Sequence, residues 1–139
     1  MNHGEHGEHG EERDLRDCNE LLIDLVLTAA TKVHRILGPG LLESVYEAAL
    51  AVELNALGIQ FKRQVEIPVI YEGQSLGIGF RADMIVDHCL LLELKSVEDF
   101  APIHIATVIN YLKLLKFKRG YMLNFNKPRM KEGIKRISI

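Results

Sequence analysis

Three charged side chains lie within two apolar segments between Phe80 and Ser96, where burial is expected. Asp83 falls in the first segment, and Glu93 and Lys95 fall in the second. A charged group in a buried strand costs free energy unless it is paired or binds a metal ion. Two carboxylates and a lysine are suited to a divalent-metal site that cleaves phosphodiesters. We therefore regard this segment as the candidate catalytic centre.

The alternation of side chains along paired strands sets a geometric condition on this hairpin. Glu93 and Lys95 share one face of their strand. Asp83 can face Glu93 only if the connecting loop has an odd number of residues, most simply the residues 87–89. In that register Arg81 lies opposite Lys95. A two-residue turn would put the two carboxylates on opposite faces of the sheet and exclude the metal site.

The ligand chemistry of the hairpin favours Mg²⁺ or Mn²⁺. Two neighbouring carboxylates repel each other unless a cation lies between them, and oxygen ligands are those that these two ions prefer. The ammonium of Lys95 can position an attacking water and stabilise negative charge on a phosphate. The alternative is an Asp–Lys or Glu–Arg ion pair on an exposed sheet face, which contributes little stability. The hairpin alone leaves both interpretations open.

Two helices precede the β segments. Apolar residues recur at helical spacing over residues 22–36, with Asn19 as a suitable N-cap. The Gly-Pro-Gly sequence at residues 38–40 ends this helix. A second helix is predicted from about residue 42 to residue 57, with Gly58 just beyond its C-terminus.

One face of the second helix carries Glu43, Tyr46 and Glu47, which lie one turn apart. A glutamate in the first turn of a helix offsets the helix dipole and caps backbone donors. Judged from the helix alone, Glu43 is therefore more simply a cap than a metal ligand.

The β segments begin near Phe61, where apolar and polar residues alternate. Pro68 indicates an edge strand or an irregularity, and Glu72-Gly73 predicts a turn before a strand that resumes near Ser75. The two hairpin strands follow. Short apolar segments at residues 121–125 and 134–139 predict two further strands.

A third helix is predicted over residues 101–115, with Pro102 in its first turn. His104, Thr107 and Tyr111 form one polar-tipped stripe along it. A hydrogen-bonded structural role and a role at the catalytic edge both stay open for His104. The complete order is ααβββαββ, which predicts an α/β or α+β fold with a mixed central sheet flanked by helices.

Composition indicates an ordinary globular chain of 139 residues, one domain by length. No apolar run reaches the ~18 residues of a membrane span, and the polar, acidic N-terminus does not resemble a signal peptide. Two cysteines, Cys18 and Cys89, do not make a disulfide framework. We therefore expect free thiols, a reducing cytoplasmic location and no membrane partner.

Residues 1–17 form a tail in which His-Gly-Glu repeats with a period of three and no apolar residue. Such a segment cannot bury enough surface to offset its ordering entropy, so we predict a disordered tail and a single domain over residues 18–139. Histidine-rich tracts can bind zinc or nickel. Adventitious binding by a disordered tail is the simpler interpretation.

Charge is distributed unevenly along the chain. Residues 1–24 carry eight acidic and two basic groups, whereas residues 113–139 carry nine basic groups and one acidic group. A basic region can follow a phosphate backbone. A solvated strand-and-loop surface has the same composition, so this feature favours DNA or RNA as a partner only weakly.

The sequence resembles a known family over residues 19–139. Residues 34–46 are similar to the signature of the GxxExxY protein family, with Gly40, Glu43 and Tyr46 at its named positions. Further segments follow in that family's order, namely Gly79–Asp83, Glu93–Ser96 and Leu123–Asn126. Asp83 with Glu93-Leu94-Lys95 also resembles the D-x(n)-(D/E)-x-K core of the PD-(D/E)XK nuclease superfamily.

This resemblance implies a restriction-endonuclease-like αβββαβ core. It also implies that Glu43 joins Asp83 and Glu93 around the metal ion and that Lys95 assists catalysis, which reverses the capping interpretation of Glu43. Further residues are then expected to bind substrate or support the site: Tyr46, Arg81, His104, Thr107 and Tyr111. Threonine departs from the family's usual glutamine at position 107, and it lacks an amide donor.

Two functions follow from the resemblance. The leading hypothesis is a Mg²⁺- or Mn²⁺-dependent nuclease that hydrolyses DNA or RNA phosphodiesters, and a domain this small often dimerises to cut both strands. The alternative is a nucleic-acid-binding or protein-interaction module that has lost turnover. A third hypothesis, metal handling by the N-terminal histidines, has less support.

Overall fold

A computed structural model describes residues 14–139 of the chain, which form three α-helices and five strands. The helices are α1 (Glu20–Leu37), α2 (Glu43–Ala56) and α3 (Pro102–Leu115). The strands are β1 (Phe61–Tyr71), β2 (Gln74–Val86), β3 (Leu90–Lys95), β4 (Arg119–Asn124) and β5 (Ile134–Ser138). A short 3₁₀ helix, Met130–Gly133, precedes β5. The predicted order of elements is confirmed.

Helix α1 begins and ends where local chemistry predicts. The Asn19 side chain accepts a hydrogen bond from the Leu22 N–H at 2.8 Å, which satisfies a donor that the first turn leaves free. Gly38 ends the helix at a φ of 70°, in the left-handed region that glycine enters without steric cost. The Gly-Pro-Gly segment then redirects the chain into α2.

The five strands form one mixed sheet in the order β1-β2-β3-β4-β5. Strands β3 and β4 are parallel because α3 connects them as a crossover, and the other neighbours are antiparallel. Strand β1 lies at the edge and changes register between Pro68 and Ile70, as the proline predicts. The architecture is the expected α/β fold.

Strand β3 lies in the middle of the molecule, with a hydrophobic core on each of its faces. Leu90, Leu92 and Leu94 belong to the core beneath α1 and α2, whereas Leu91 belongs to the core beneath α3. A strand buried on both faces is apolar along its length. Glu93, with 7% of its surface exposed, is therefore a charged residue where the fold provides an apolar environment.

The two cysteines correct one expectation. Cys18 and Cys89 form a disulfide, with their Cα atoms 5.5 Å apart, so the prediction of two free thiols is wrong. The bond joins the segment before α1 to the turn between β2 and β3. Seventy-one positions separate the two residues, and no local sequence pattern brings them together.

The segment before α1 also packs onto the end of the sheet. Arg16 forms an isolated parallel bridge with Phe117, and Asp17 accepts a hydrogen bond from Arg119 Nε at 2.8 Å. These two residues, assigned by sequence to the tail, therefore contact the domain. Residues 1–13 and their histidine repeat lie outside the described range. Within residues 14–139 no helix is long and apolar enough to cross a membrane.

Candidate active site

The turn between β2 and β3 has the odd length that the carboxylates require. Met84 pairs with Leu92, and the pairing continues to the turn at residues 87–89. Asp87 and His88 take positive φ angles of 49° and 56°, which allow the chain to reverse within three residues. The predicted register of the hairpin is confirmed.

Asp83 and Glu93 lie where β2 and β3 separate, a position that we call the fork. The paired residues end at Met84 and Leu92, and beyond them carboxylates replace the backbone ladder. The Asp83 N–H donates to Glu93 Oε2 at 2.8 Å, and the Leu94 N–H donates to Asp83 Oδ2 at 2.8 Å. Each carboxylate thus commits one oxygen to the neighbouring strand.

Arg81 lies beyond the fork and does not reach the position predicted for it. In the described part of the chain no pairing joins Arg81 to Lys95, because β2 and β3 have already separated. Arg81 instead pairs with Glu66 of β1, at 3.7 Å between charged atoms, and both side chains are largely exposed. This is an exposed ion pair of small energetic weight.

Burial and the charges of neighbouring carboxylates raise the pKa of both carboxyl groups at the fork. Burial, and after it the charge of Asp83, raises the pKa of Glu93 to about 8. Burial is also the main cause of the raised pKa of Asp83, to which the charge of Glu47 adds. The positive charge of Lys95 lowers both pKa values. The fork is therefore a place where added positive charge is favourable.

Glu43 contacts β3 instead of capping its own helix. Its Oε2 accepts a hydrogen bond from the Ser96 N–H at 3.2 Å, directly after β3. Residue Leu42 occupies the N-cap position of α2 and provides no side-chain hydrogen bond. The negative charge of Glu43 contributes to the raised pKa values of Asp83 and Glu93. Glu43 therefore lies in the first turn of α2, where its charge offsets the helix dipole, but its side-chain hydrogen bond goes to the end of β3.

The three carboxylates do not converge on one point. Across residues 14–139, no group of three or more His, Cys, Asp and Glu side chains lies close enough to hold a metal ion. Asp83 and Glu93 are in direct contact, whereas Glu43 lies beside them on Ser96. The assignment of all three as metal ligands remains a prediction.

Tyr46 supports the loop that leads into α2. Its hydroxyl donates to the Gly38 carbonyl at 2.6 Å and accepts from the Leu41 N–H at 3.0 Å. Its buried ring stacks on Phe125, with centroids 4.5 Å apart. Ser96 Oγ donates to the Leu41 carbonyl at 2.9 Å, so the same loop is also fastened to the end of β3. These contacts fix the start of α2, and with it Glu43.

The three stripe residues of α3 lie in different environments. His104 Nδ1 accepts from the Ala101 N–H at 3.0 Å, which caps the helix. Thr107 Oγ1 donates to the Ile103 carbonyl of its own helix at 2.8 Å. Tyr111 is buried, and its pKa is raised first by burial and then by the charges of Glu93 and Asp83. The ionisation of Tyr111 therefore responds to the charges at the fork.

Sequence reasoning overlooked a polar cluster at the edge of the fork, formed by Glu47, Arg63 and Gln64. Glu47 is 6% exposed and accepts from Arg63 Nε at 2.9 Å and from Gln64 Nε2 at 2.7 Å. The position of Glu47 beside Tyr46, one turn after Glu43, was a usable indication. The positive φ of Gln64, 52° within a strand, has no signature in the sequence.

Asn124 was also overlooked, although it braces the segment after Lys95. This fully buried residue pairs with Lys95 across β3 and β4. Its Nδ2 donates to the Val97 carbonyl at 2.8 Å, and its Oδ1 accepts from the N–H groups of Val97 and Asn126. A buried amide with satisfied partners makes the end of β3 rigid.

Comparison with protein families matches residues 20–137 to the family described as the PD-(D/E)XK nuclease superfamily. The matched range contains the fork, Lys95 and all of α2. The resemblance to the narrower GxxExxY family is compatible with this match. Searches among curated proteins and among solved structures gave no match.

Proposed function

We propose that the fork is the active centre of a metal-dependent nuclease, since the chain belongs to the PD-(D/E)XK nuclease superfamily. The observation that carries the proposal is the placement of the Asp83 and Glu93 carboxylates side by side in a largely apolar environment. The Glu93 carboxylate accepts from the Asp83 N–H, and the Asp83 carboxylate accepts from the Leu94 N–H. Bridging the two strands does not by itself require two carboxylates, because burying two like charges destabilises a fold.

The donor atoms at the fork fit a hard divalent cation. Asp83 and Glu93 each have one carboxylate oxygen that does not take part in the hydrogen bonds across the fork. Oxygen donors of this kind, with raised pKa values, would hold Mg²⁺ or Mn²⁺, and Glu43 would complete or support the site. A bound cation would supply Lewis-acid stabilisation of negative charge on a phosphate.

Lys95 would orient the attacking water. It lies two residues after Glu93 on the same face of β3, and its charge acts on both carboxylates. Its ammonium would donate a hydrogen bond to the water and offset charge that develops on the phosphate. Tyr111 and His104, on α3, would border the substrate side of the fork, and Thr107 would make a weaker contact than a glutamine.

The distribution of charge supports a nucleic-acid partner. Arg119 is largely buried and neutralised by Asp17 and Glu20, at 2.8 and 2.6 Å. Most of the other basic residues of the C-terminal region are exposed: Lys113, Lys116, Lys118, Arg129, Lys131, Lys135 and Arg136. Exposed cations on one part of the chain can neutralise backbone phosphates of DNA or RNA. A homodimer and a cytoplasmic location remain predictions.

The test is cleavage of labelled single- and double-stranded DNA and RNA with Mg²⁺ or Mn²⁺. We expect the wild type to cut at least one of these substrates, and the variants Asp83→Ala and Lys95→Ala to lose at least a hundredfold in rate, the order of one catalytic group. Asp87→Asn is the matched control, because it removes a carboxylate from the exposed turn of the same hairpin. It should cut like the wild type.

A binding module without turnover is the second candidate. The observation that favours it is the separation of Glu43 from the Asp83–Glu93 pair, which leaves the described chain without a three-residue ligand group. Binding that weakens with salt, without cleavage of any substrate, would establish this candidate. Cleavage that is unchanged in both the Asp83 and the Lys95 variants would exclude the proposed site.

A further inference from the structure

The cluster of Glu47, Arg63 and Gln64 lies next to the fork but outside the groups assigned above. Arg63 pairs with Met84 across β1 and β2, so it lies on the sheet face that α2 covers, one position along from Asp83. The charge of Glu47 contributes to the raised pKa of Asp83, which places the cluster within electrostatic range of the fork. Glu47 is only 6% exposed, and a carboxylate buried this close to the fork needs an explanation.

Glu47 is held by two donors that use both of its oxygens. Arg63 Nε donates to Oε2 at 2.9 Å, and Gln64 Nε2 donates to Oε1 at 2.7 Å. Gln64 reaches this position with a φ of 52°, a conformation that costs a non-glycine residue about 1–3 kcal/mol. The backbone is therefore strained at the residue that follows Arg63, between the pairs Arg63–Met84 and Val65–Ala82.

The Arg63 side chain is held by a hydrogen bond through Nε and is partly exposed to solvent. Its hydrogen bond to Glu47 uses Nε, whereas its side chain is 42% exposed and that of Glu47 is 8% exposed. Within residues 14–139 this is the one side-chain hydrogen bond of Arg63. The buried carboxylate thus holds Nε, while neither terminal nitrogen has a hydrogen-bond partner within this range. A guanidinium held in this way can bind phosphate oxygens with two parallel hydrogen bonds.

We infer that Arg63 binds a backbone phosphate of the nucleic acid beside the scissile bond, and that Glu47 and Gln64 position it. This inference rests on the proposed function, because it needs a nucleic acid at the fork. It assigns Arg63 to substrate binding and gives Glu47 a positioning role. The strain at Gln64 then serves to hold Glu47 in place beneath Arg63.

The test measures binding of short fluorescein-labelled DNA and RNA by anisotropy in EDTA, over a range of salt concentrations. Arg63→Ala should weaken binding about tenfold, the effect of one charge-assisted hydrogen bond. It should also reduce the magnitude of the negative slope of log K against log salt concentration, by about 0.9 for duplex DNA or about 0.7 for single strands. Lys62→Ala removes an exposed neighbouring cation on the same strand and should have a smaller effect.

Glu47→Gln separates positioning from net charge. The substitution removes a negative charge near the fork, so long-range electrostatics alone would strengthen binding to a polyanion. If Glu47 positions Arg63, the variant instead binds more weakly. Glu53→Gln is the matched control, because Glu53 lies on the same helix and pairs with Lys32 at 2.9 Å. It should bind slightly more tightly than the wild type.

Arg63→Lys covers the case in which the alanine variant does not fold. Lysine retains the charge but lacks the planar guanidinium group. Binding should therefore weaken, while the slope of log K against log salt concentration stays unchanged. Equal effects of Arg63→Ala and Lys62→Ala, or tighter binding by Glu47→Gln, would overturn the inference while leaving the nuclease proposal intact. A wild type that binds no nucleic acid would overturn both.

Discussion

Asp83 and Glu93 are joined at the fork by a hydrogen bond in which the Asp83 N–H donates to Glu93 Oε2 at 2.8 Å. The Asp83 carboxylate in turn accepts from the Leu94 N–H at 2.8 Å. The two carboxylates therefore replace backbone-to-backbone hydrogen bonds where β2 and β3 separate. Their geometry is fixed by the hydrogen bonds, while their charges repel each other.

Two substitutions of Asp83 distinguish the effect of its hydrogen bond on stability from the effect of its charge. Asp83→Asn removes the charge and keeps an oxygen that can accept from Leu94, so the metal-free variant should be at least as stable as the wild type. Asp83→Ala leaves the Leu94 N–H without this acceptor and should be about 1 kcal/mol less stable than the asparagine variant. Urea unfolding in EDTA measures the difference. Equal stability of the two variants would contradict the structural role of this bond.

The metal-free protein should lose stability as pH rises from about 5 to 8. The pKa of Glu93 is raised from 4.5 to about 8 in the folded chain. The unfolded chain therefore releases this proton at lower pH, and between the two values the folded state binds more protons, so the free energy of unfolding falls with increasing pH. Thermal unfolding in EDTA at several pH values checks this.

Glu93→Gln is the control for that pH dependence. Glutamine does not titrate, so the fall in stability between pH 5 and 8 should be smaller in this variant. Mg²⁺ or Mn²⁺ should raise the melting temperature of the wild type more at pH 8 than at pH 5, because a cation competes with the proton for the same carboxylate. A wild type and a Glu93→Gln variant with parallel pH profiles would refute the raised pKa.

Tyr46→Phe should destabilise the loop before α2 while it preserves the packing against Phe125. The variant loses the hydroxyl contacts to Gly38 and Leu41 at 2.6 and 3.0 Å. Each buried group left without its partner costs about 1–3 kcal/mol. Tyr71→Phe removes a hydroxyl from a residue that is 63% exposed, and it should have no effect on the melting temperature. Equal melting temperatures of the two variants would show that the loop needs no such support.

Reduction of the disulfide between Cys18 and Cys89 should lower stability by roughly 2–4 kcal/mol, because the bond closes a long loop in the unfolded chain. Unfolding with and without a reductant measures this difference. Cys18→Ser should have the stability of the reduced wild type, both with and without the reductant. If the reductant does not change the stability of the wild type, the two cysteines are not bonded in solution.

Local patterns predicted much of the fold and part of the site. Alternation along two strands was sufficient to require a turn with an odd number of residues, because parity alone decides whether Asp83 and Glu93 meet. Asn19, the Gly-Pro-Gly segment and Pro68 acted through short-range chemistry, which the sequence displays directly. The helices, the edge strand and the hairpin register were therefore predictable.

The remaining features depend on contacts between distant segments. The disulfide needs the segment before α1 to pack beside the hairpin turn. Arg81 pairs with Glu66 because the fork opens earlier than a regular hairpin would. Gln64 adopts a positive φ for a partner on α2, and nothing in a strand sequence predicts that. Tertiary packing decided each of these outcomes.

Insertions and deletions in the turn at residues 87–89 should be tolerated only in steps of two. One added residue would rotate β3 by half a period and send Glu93 to the opposite face, toward the core beneath α1 and α2. Two added residues would restore the pairing and lengthen only an exposed loop. The number of residues between the two acidic positions can therefore change during evolution, provided that it stays odd. A related chain with an even number of intervening residues would need a β-bulge to keep the same site.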